Sequence, residues 1–216
     1  MFTACWSVKG GSGTTTVATA LALAFAATSS TLLVDLKGDV AAALGSETLE
    51  RPGLGDWCRA YPEVAADGLS RLERSVAANL ALLEPGTQST GSCSAPASDL
   101  LVAMLATESR AVVVDCGVAD STLSTTVAAG AGRSVLVLNP CYLSLRRANA
   151  IPLRPSGLVV VRAPWHALSD NEVGEMLGVT VLARIPLDPA IGRAVDAGLL
   201  AVGPPRLLRR AIAALS

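Results

Sequence analysis

The chain has 216 residues, and 51% of them are hydrophobic while only 3% are aromatic, so Ala, Val and Leu must supply most of the core. This length suits a single α/β domain that buries a substantial core. The net charge of −1 by itself favours no polyanionic partner. However, residues 1–130 hold seven basic and thirteen acidic side chains (−6), and the remainder has a net charge of +5. The basic C-terminal half could make weak contact with anionic membrane or DNA; arginines solvated on helix faces are the alternative.

The cysteines are scattered and odd in number, without a C-x-x-C pair, which predicts a reduced, cytosolic protein with small buried thiols. The single histidine, His166, argues against a His/Cys metal site. Residues 17–27 are apolar but too short to span a bilayer, and no charged segment precedes them as in a signal peptide. We therefore expect a cytoplasmic protein that is at most peripheral to the inner face of the membrane. The cysteines are Cys5, Cys58, Cys93, Cys116 and Cys141.

Apolar strand-like runs alternate with helical stretches along the chain. The strands are predicted at residues 2–8, 31–34, 80–83, 111–114, 134–138, 157–161 and 179–184. The helices are predicted near residues 15–27, 98–108, 121–130, 143–150, 170–177 and 188–197. Continuously apolar strands in repeated βα units predict an α/β fold in a single domain over residues 1–216, with a mostly parallel twisted sheet flanked by helices on both faces.

Two stretches interrupt this pattern. Residues 45–79 contain several Pro and Gly residues, which predict short helices or turns. Residues 86–97 are polar and predict a mobile loop. This loop could cover a ligand, but a surface connection is the interpretation that we favour.

The sequence Lys-Gly-Gly-Ser-Gly-Thr-Thr-Thr at residues 9–16 lies between the first strand and the first helix. Glycines let successive backbone N–H groups turn inward to hold an anion, and a helix N-terminus adds partial positive charge. The hydroxyl of Thr15 or Thr16 can ligate a phosphate-bound Mg²⁺. An ordinary glycine turn is the alternative, but Lys9 and the threonine run favour a nucleotide phosphate loop.

Two predicted strands end in a carboxylate, at Asp35 and at Asp115. The carboxyl ends of parallel strands face the ligand crevice, so both side chains should point toward the glycine loop. A carboxylate at this place can hold Mg²⁺ directly or through water. The alternative is a helix N-cap, and Asp115 is the stronger metal candidate because four apolar residues precede it.

These motifs resemble the ParA/MinD family of P-loop ATPases, whose deviant Walker A loop reads K-G-G-x-G-K-[ST]-[ST]. Lys9 matches the signature lysine, which in that family reaches the phosphates of the partner subunit in a nucleotide-sandwich dimer. Asp35 matches the first carboxylate of the family's LLVD-x-D strand, and Asp115 matches the Walker B aspartate. Residues 38–45 and 138–146 are most similar to the pilus-assembly branch, CpaE/TadZ, and residues 184–198 resemble the family's late IPxD run.

The resemblance implies ATP and Mg²⁺ as ligands, a homodimer formed through the nucleotide face, and a protein partner. It implies catalytic roles for Lys9 and Asp39. It implies metal ligands at Thr15, Asp35 and Asp115. It implies that the nucleotide contacts Gly10, Gly11, Ser12, Gly13, Thr14, Thr15, Thr16, Lys37, Arg162 and Pro186.

Three residues depart from the family pattern. Thr14 replaces the loop lysine, Lys37 replaces the water-orienting carboxylate, and Val161 replaces an asparagine that reads adenine. Loss of one charge-assisted phosphate contact costs roughly 1.5–3 kcal/mol, and loss of a transition-state stabiliser lowers the rate by about 10²–10³. Arg162 could still stack on a base.

Two functions are therefore open. One is a weak ATP-dependent dimerising switch with slow or no hydrolysis, which organises pilus or secretion machinery, cell division or DNA partitioning. The other is a non-hydrolysing scaffold that uses the fold only for partner binding. A Rossmann oxidoreductase is a poor third interpretation, because Lys9 and the threonine run have no role there.

Residues 204–216 predict a basic C-terminal helix that begins after two prolines. At 100° per residue its apolar side chains share one face and its arginines lie on the other. The segment resembles the membrane-binding C-terminal helix of MinD proteins, but a last helix packed on the sheet is the interpretation that we favour. The apolar face comprises Leu207, Leu208, Ala211, Ile212 and Leu215.

Overall fold

The computed structural model describes residues 2–47, 50–65 and 67–215, which form one sheet of eight strands with helices on both faces. The strands are β1 (Thr3–Ser7), β2 (Thr31–Asp35), β3 (Arg74–Ala77), β4 (Leu80–Leu83), β5 (Ala111–Val118), β6 (Arg133–Leu138), β7 (Gly157–Arg162) and β8 (Val181–Pro186). The helices are α1 (Thr14–Ala26), α2 (Val40–Leu44), α3 (Leu54–Ala60), α4 (Ala95–Thr107), α5 (Thr122–Gly130), α6 (Tyr142–Ala150), α7 (Asp170–Leu177), α8 (Pro189–Asp196) and α9 (Arg206–Ile212). The predicted fold class is confirmed.

The strand order is β3-β4-β2-β5-β1-β6-β7-β8, and the pairs are parallel except for β3 with β4. β1 lies between β5 and β6. The connection from β1 to β2 runs over one face of the sheet through α1, and the connection from β5 to β6 runs over the opposite face through α5. Where connections leave neighbouring strands over opposite faces, a crevice opens beyond the carboxyl end of the central strand, and residues 9–13 lie at this crevice.

Alternating side chains of the buried strands divide the core into two layers. In β1, Ala4 and Trp6 pack in the layer that contains α4, α5, α6 and α7, whereas Cys5 packs in the layer that contains α1, α2, α8 and α9. The indole Nε1 of fully buried Trp6 donates to Ser134 Oγ at 2.9 Å, so this side chain keeps a partner for its polar atom. Elsewhere the layers consist mainly of Ala, Val and Leu, as the composition predicts.

The two irregular stretches are more ordered in the structure than in the sequence prediction. Residues 45–79 include α3 and the edge strand β3, whose partly buried side chains lack the apolar run of a central strand. The mobility of residues 86–97 stays a prediction, but the structure gives this polar segment tertiary partners, and its last residues begin α4. Thr90 and Cys93 are buried, and Thr87 donates to Asp56 through both its N–H and its hydroxyl. Partners far away in the sequence hold this segment, so local composition could not reveal them.

The expectation of entirely free thiols is also wrong. Cys58 of α3 and Cys93 form a disulfide with a Cα–Cα distance of 5.1 Å. Their sequence separation of 35 residues fits no local motif, and only the packing of α3 on the segment before α4 brings them together. Cys5, Cys116 and Cys141 are free.

The C-terminal helix α9 packs against α1 and β8. Leu208, Ile212 and Leu215 are buried in the core, and of the predicted apolar face only Leu207 is substantially exposed. The packed interpretation is therefore the one that the structure supports, because burying this face in the core leaves little of it to contact a bilayer.

Among the described residues, none of the helices has both the length and the apolar character needed to cross a membrane.

The end of α2 meets the end of α8 at two glycines in the left-handed region, Gly45 (φ 70°) and Gly198 (φ 65°). A Cβ on Gly198 would lie 2.6 Å from Gly45 Cα, and Leu200 donates its N–H to Ala43 O at 3.3 Å. This backbone contact admits no side chain and fixes α2 to the turn that leads toward α9.

We predict that Gly198→Ala lowers the free energy of unfolding by about 2–5 kcal/mol, the sum of left-handed strain and overpacking. Gly178 is the matched control, because it has φ 63° but nothing within 4 Å of an added Cβ. Gly178→Ala should therefore cost only about 1–2 kcal/mol. Urea denaturation of the two variants measures the difference, and equal destabilisation would contradict the contact.

Candidate functional site

Residues 9–13 form an open loop between β1 and α1. Gly11 (φ 73°) and Gly13 (φ 85°) adopt the left-handed conformation, which turns the chain into the first turn of α1. Ser12 Oγ donates to Lys9 O at 2.8 Å and Ser7 Oγ donates to the same oxygen at 3.1 Å, so the start of the loop is fixed. Added Cβ atoms on Gly10 or Gly11 would meet nothing within 4 Å. The loop thus presents backbone to a free space at a helix N-terminus.

This free space is a cavity of about 420 Å³ between the loop, the end of β5 and the segment after β2. The predicted loop residues Gly10 to Thr15 contribute to its wall, and so do Lys37 and Asp39. The register of β5 against β1 shifts between Asp115 and Gly117, which brings Gly117 O within 3.2 Å of Ser7 Oγ. Such bulges change the direction of a strand end, and this one places Gly117 and Val118 in the wall of the cavity. The lining residues are Ser7, Gly10, Gly11, Ser12, Gly13, Thr14, Thr15, Lys37, Asp39, Gly117, Val118 and Asp120.

Asp35 and Asp115 lie opposite each other in the parallel pair β2–β5, and both are fully buried. Asp115 Oδ1 accepts the Gly117 N–H at 3.0 Å, whereas Oδ2 is buried without a hydrogen-bond partner among the described residues. The pKa of Asp115 is raised to about 7, chiefly by burial and also by the charge of Asp35, while the neighbouring Thr15 hydroxyl and the Gly117 N–H oppose the rise. The free oxygen beside Thr15 has the character of a ligand for a cation.

Asp35 is held by backbone donors, and its role as a metal ligand stays a prediction. Its Oδ1 accepts the N–H groups of Lys37 and Gly38 at 2.8 Å each, and its Oδ2 accepts the Val40 N–H at 2.9 Å. Burial raises the pKa of Asp35 and these backbone donors oppose the rise. The carboxylate therefore shapes the turn that carries residues 37–39 and starts α2, because both of its oxygens are already engaged by backbone.

Lys37 reaches the cavity across the end of β5. Its Nζ lies 2.7 Å from Asp120 Oδ1. Gly117 (φ 58°) makes the passage possible, since an added Cβ would lie 2.4 Å from Lys37 Cγ. A cation from the turn after β2 thus lies in the same cavity as Thr14, the residue at the place of the loop lysine.

The two predicted catalytic residues lie at different depths. Asp39 precedes α2, makes no side-chain capping hydrogen bond and lines the cavity. Lys9 is partly exposed at the start of the loop and lies outside the cavity wall. The structure therefore brings Asp39, but not the Lys9 side chain, to the phosphate-loop cavity of the single chain.

A second cavity of about 480 Å³ adjoins the other side of the loop, and its walls are mainly apolar. Gly11, Gly13 and Thr16 separate it from the first cavity, and Val161, Trp165 and Pro186 form part of its walls. Pro186 thus lies where the sequence predicted it. This space has the size and apolar character of a site for a flat ring system.

Arg162 does not line either cavity, contrary to the prediction that it stacks on a base. Its guanidinium donates to Leu168 O and lies 3.6 Å from Asp170 Oδ1. Asp170 is buried and also pairs with Arg184. This ion-pair cluster draws Arg162 toward the start of α7.

Sequence reasoning missed two residues of the site, Asp120 and Trp165. Asp120 lies in the small connection after β5, and Trp165 follows β7 with 75% of its surface exposed. Their positions just beyond the carboxyl ends of parallel strands are the signal that could have identified them. Neither is part of a recognisable motif.

We predict that Asp115→Asn stabilises the ligand-free protein at pH 8 by about 1–3 kcal/mol, because it removes the cost of burying an ionised carboxylate next to Asp35. Because its pKa is raised to about 7, the Asp115 carboxyl keeps its proton in the folded protein at pH values where the unfolded chain has already ionised. This group therefore lowers the stability of the folded protein increasingly as the pH rises from about 4 through 7. The gain should therefore shrink toward pH 5. Asp56→Asn serves as the control: Asp56 accepts from Gly53 and Thr87, so this change should destabilise at both pH values. Urea denaturation at pH 5 and pH 8 measures both, and an Asp115→Asn gain that does not depend on pH would contradict the assignment.

No protein-family model and no curated protein matches this sequence. Solved structures match over nearly the full chain. A ParA family ATPase from Chlorobium tepidum TLS has a TM-score of 0.78 at 22% identity, covering 99% of this chain and 98% of its own. The septum site-determining protein MinD from Pyrococcus horikoshii OT3, complexed with Mg-ADP, has a TM-score of 0.79 at 19% identity, covering 99% and 93%. An McdA–ATP complex from Cyanothece has a TM-score of 0.75 at 18% identity, covering 99% and 95%. The chain therefore has the fold of the ParA/MinD ATPases.

Proposed function

We propose that this protein binds a nucleoside triphosphate with Mg²⁺ and acts as a weak, dimerising ParA/MinD-like switch. The observation that carries the proposal is the open glycine loop at the N-terminus of α1 with the unpartnered Asp115 Oδ2 buried behind it. An orphaned carboxylate oxygen is costly to bury, and a cation beside it removes that cost. ATP is the ligand expected from the resemblance and from the Mg-ADP and ATP complexes among the similar structures.

The residues present fit a phosphate chain with Mg²⁺. The backbone of Gly10 to Gly13 and the first turn of α1 would hold the phosphates, because N–H groups at a helix start attract anions. The hydroxyl of Thr15 and the free oxygen of Asp115 would hold Mg²⁺, which neutralises phosphate charge when bound. Asp35 contributes indirectly, by fixing the turn that carries Lys37 and Asp39.

Lys37 supplies the cation that the loop lacks at Thr14. Its ammonium group lies in the cavity and is only partly buried, with Asp120 as its partner. A triphosphate would compete with Asp120 for Lys37, since a phosphate oxygen is a strong acceptor for an ammonium donor. Because Asp120 competes for Lys37, the contact between Lys37 and a phosphate would be weak, and so the proposed switch would bind nucleotide weakly.

Hydrolysis should be slow, because Lys37 stands where the family pattern has the carboxylate that orients the attacking water. Asp39 lines the cavity and is the remaining candidate to orient an attacking water. Thr14 brings no charge to stabilise the transition state.

Base selectivity should be low. The second cavity presents Val161, Trp165 and Pro186, and Trp165 suits stacking on any ring. Val161 offers no side-chain amide to read adenine.

A homodimer through the nucleotide face is part of the proposal. Tyr142, Trp165 and Leu187 follow the carboxyl ends of β6, β7 and β8 and are 50–80% exposed at the edge where the loop lies. Large apolar side chains at one edge are typical of a protein interface. In such a dimer the exposed Lys9 would reach the partner's phosphates, and a further protein partner would respond to the assembled form, as in the pilus-assembly branch CpaE/TadZ.

Weak contact with anionic membrane or DNA is the electrostatic part of the proposal. Arg206, Arg209 and Arg210 of α9 lie toward solvent, while the apolar residues of this helix pack in the core. Such contact would depend on charge and weaken with salt.

The alternative function is a scaffold that uses the fold for partner binding without nucleotide. Thr14 and the engagement of Lys37 by Asp120 favour it, because both lower the affinity of the loop for phosphate. Titration with ATP, ADP and GTP in the presence of Mg²⁺ separates the two, since the scaffold binds none of them.

We predict that Thr14→Lys and Asp120→Asn each tighten ATP–Mg²⁺ binding, whereas Lys37→Ala weakens it by about 10- to 100-fold, the equivalent of one charge-assisted contact. Isothermal titration calorimetry measures all three. Arg71→Ala is the matched control: Arg71 also pairs with an aspartate, Asp67, but lies outside the cavity. An effect of Arg71→Ala equal to that of Lys37→Ala would show that only the net charge of the protein matters. In a crystal structure with nucleotide, electron density for the nucleotide away from residues 10–16 would refute the site.

We predict that the wild-type protein turns over ATP more slowly than about 1 s⁻¹, the low end of ordinary enzymes. The physical reason is the absence of charge at Thr14 and of a carboxylate at Lys37. Phosphate release under saturating ATP is the measurement. Steady turnover above this value would show that neither residue is a handicap.

A further inference from the structure

The disulfide between Cys58 and Cys93 lies beside the proposed site but belongs to none of its walls. Both residues are buried, in α3 and just before α4. Cys93 is flanked by the exposed residues Ser92 and Ser94, so a local opening of this surface segment would uncover its sulfur without disturbing the sheet.

Backbone contacts hold α3 and residues 84–88 together independently of the disulfide. Leu54 N donates to Glu84 O at 2.9 Å and Gly55 N donates to Pro85 O at 2.7 Å. Asp56 accepts from Thr87 N at 3.0 Å and from Thr87 Oγ1 at 2.6 Å. Among the described residues, no backbone hydrogen bond joins α3 to residues 89–93, so the crosslink adds restraint mainly to this stretch.

This restrained stretch contacts the turn after β2. The buried Thr90 Oγ1 donates to Leu36 O at 2.8 Å. Leu36 stands between Asp35, which shapes the turn, and Lys37, which reaches the cavity. Pro85, in the neighbouring stretch 84–88, also lies close to this turn, since an added Cβ on Gly38 would be 3.8 Å from Pro85 Cγ. The hydrogen bond from Thr90 to Leu36 therefore couples residues 89–93 to residues 36–38.

We infer that Cys58 and Cys93 are a reversible dithiol–disulfide pair that tightens or loosens the turn carrying Lys37. A low-molecular-weight disulfide is the oxidant: one thiolate attacks it and releases a thiol, and the second thiolate displaces the other thiol from the mixed disulfide. The Cys58–Cys93 S–S bond forms, the oxidant's S–S bond breaks, and the two protons pass to the leaving thiols. A dithiol reductant reverses the exchange.

The disulfide form holds Thr90 against Leu36 and keeps Lys37 at its place in the cavity. The dithiol form lets residues 89–93 open more often, because only non-covalent contacts remain. The consequence for nucleotide affinity rests on the proposed function, but the loosening of residues 36–38 does not require a nucleotide.

The test uses the full chain equilibrated in reduced and oxidised glutathione buffers. Alkylation and peptide mass spectrometry report the Cys58–Cys93 bond, and hydrogen–deuterium exchange reports residues 36–40 and 87–93 without nucleotide. We expect a bond that forms and breaks across the buffer series, and exchange about tenfold faster at both segments in the dithiol form. Exchange of β4 should not change. ATP–Mg²⁺ affinity is then measured in both forms and should be lower in the dithiol form.

The double variant Cys58→Ala/Cys93→Ala should behave as the dithiol form in every buffer. If this variant fails to fold, the comparison of the reduced and oxidised wild-type protein still tests the inference. Cys141→Ser is the matched control, since it removes a free thiol and should keep the redox difference. A bond that never forms, a bond that resists every reducing buffer, or equal exchange at residues 36–40 in the two forms would each overturn the inference. Absence of nucleotide binding in both forms would count against the proposed function only. Hydrogen–deuterium exchange at residues 36–40 and 87–93 would then still decide whether Cys58 and Cys93 act as a redox pair.

Discussion

Two buried carboxylates side by side at the ends of β2 and β5 are the constraint on which the site depends. Asp35 and Asp115 are paired in register, and both have a raised pKa because burial disfavours their charge. The fold treats them differently. Asp35 is compensated by three backbone N–H groups, whereas Asp115 keeps an unpartnered oxygen. One carboxylate therefore organises a turn and the other stays available to a cation.

The turn organised by Asp35 carries the feature that most distinguishes this chain from the pattern it resembles. Position 14 has no charge, but Lys37 enters the same cavity from the neighbouring strand. Gly117 is essential to this arrangement, because any side chain there would occupy the path of Lys37. The ion pair with Asp120 holds the lysine in the cavity, and under the proposed function it would compete with a bound phosphate. Lys37 would then supply, from a different segment and at reduced strength, the charge that position 14 lacks.

The same turn connects the cavity with distant parts of the molecule. Thr90 joins it to the segment before α4, and the Gly45–Gly198 contact joins α2 to the turn that leads to α9. Both contacts are short and involve backbone, so they transmit displacement better than flexible surface side chains would. A change at residues 36–45 is therefore mechanically linked to both faces of the sheet.

The sequence by itself determined the fold class, the positions of the central strands along the chain and the position of the glycine loop, because continuous apolar runs and a glycine-rich turn are local signals. It also indicated that Asp115 lies at the loop. The order of the strands in the sheet came only from the tertiary structure. Only the tertiary structure decided which oxygens of Asp35 are engaged, that Arg162 turns toward Asp170, and that α9 buries its apolar face. It alone paired Cys58 with Cys93, brought Asp120 and Trp165 to the two cavities and showed that Lys37 pairs with Asp120. These features depend on contacts between residues far apart in the chain, whose partners and geometry no local pattern specifies.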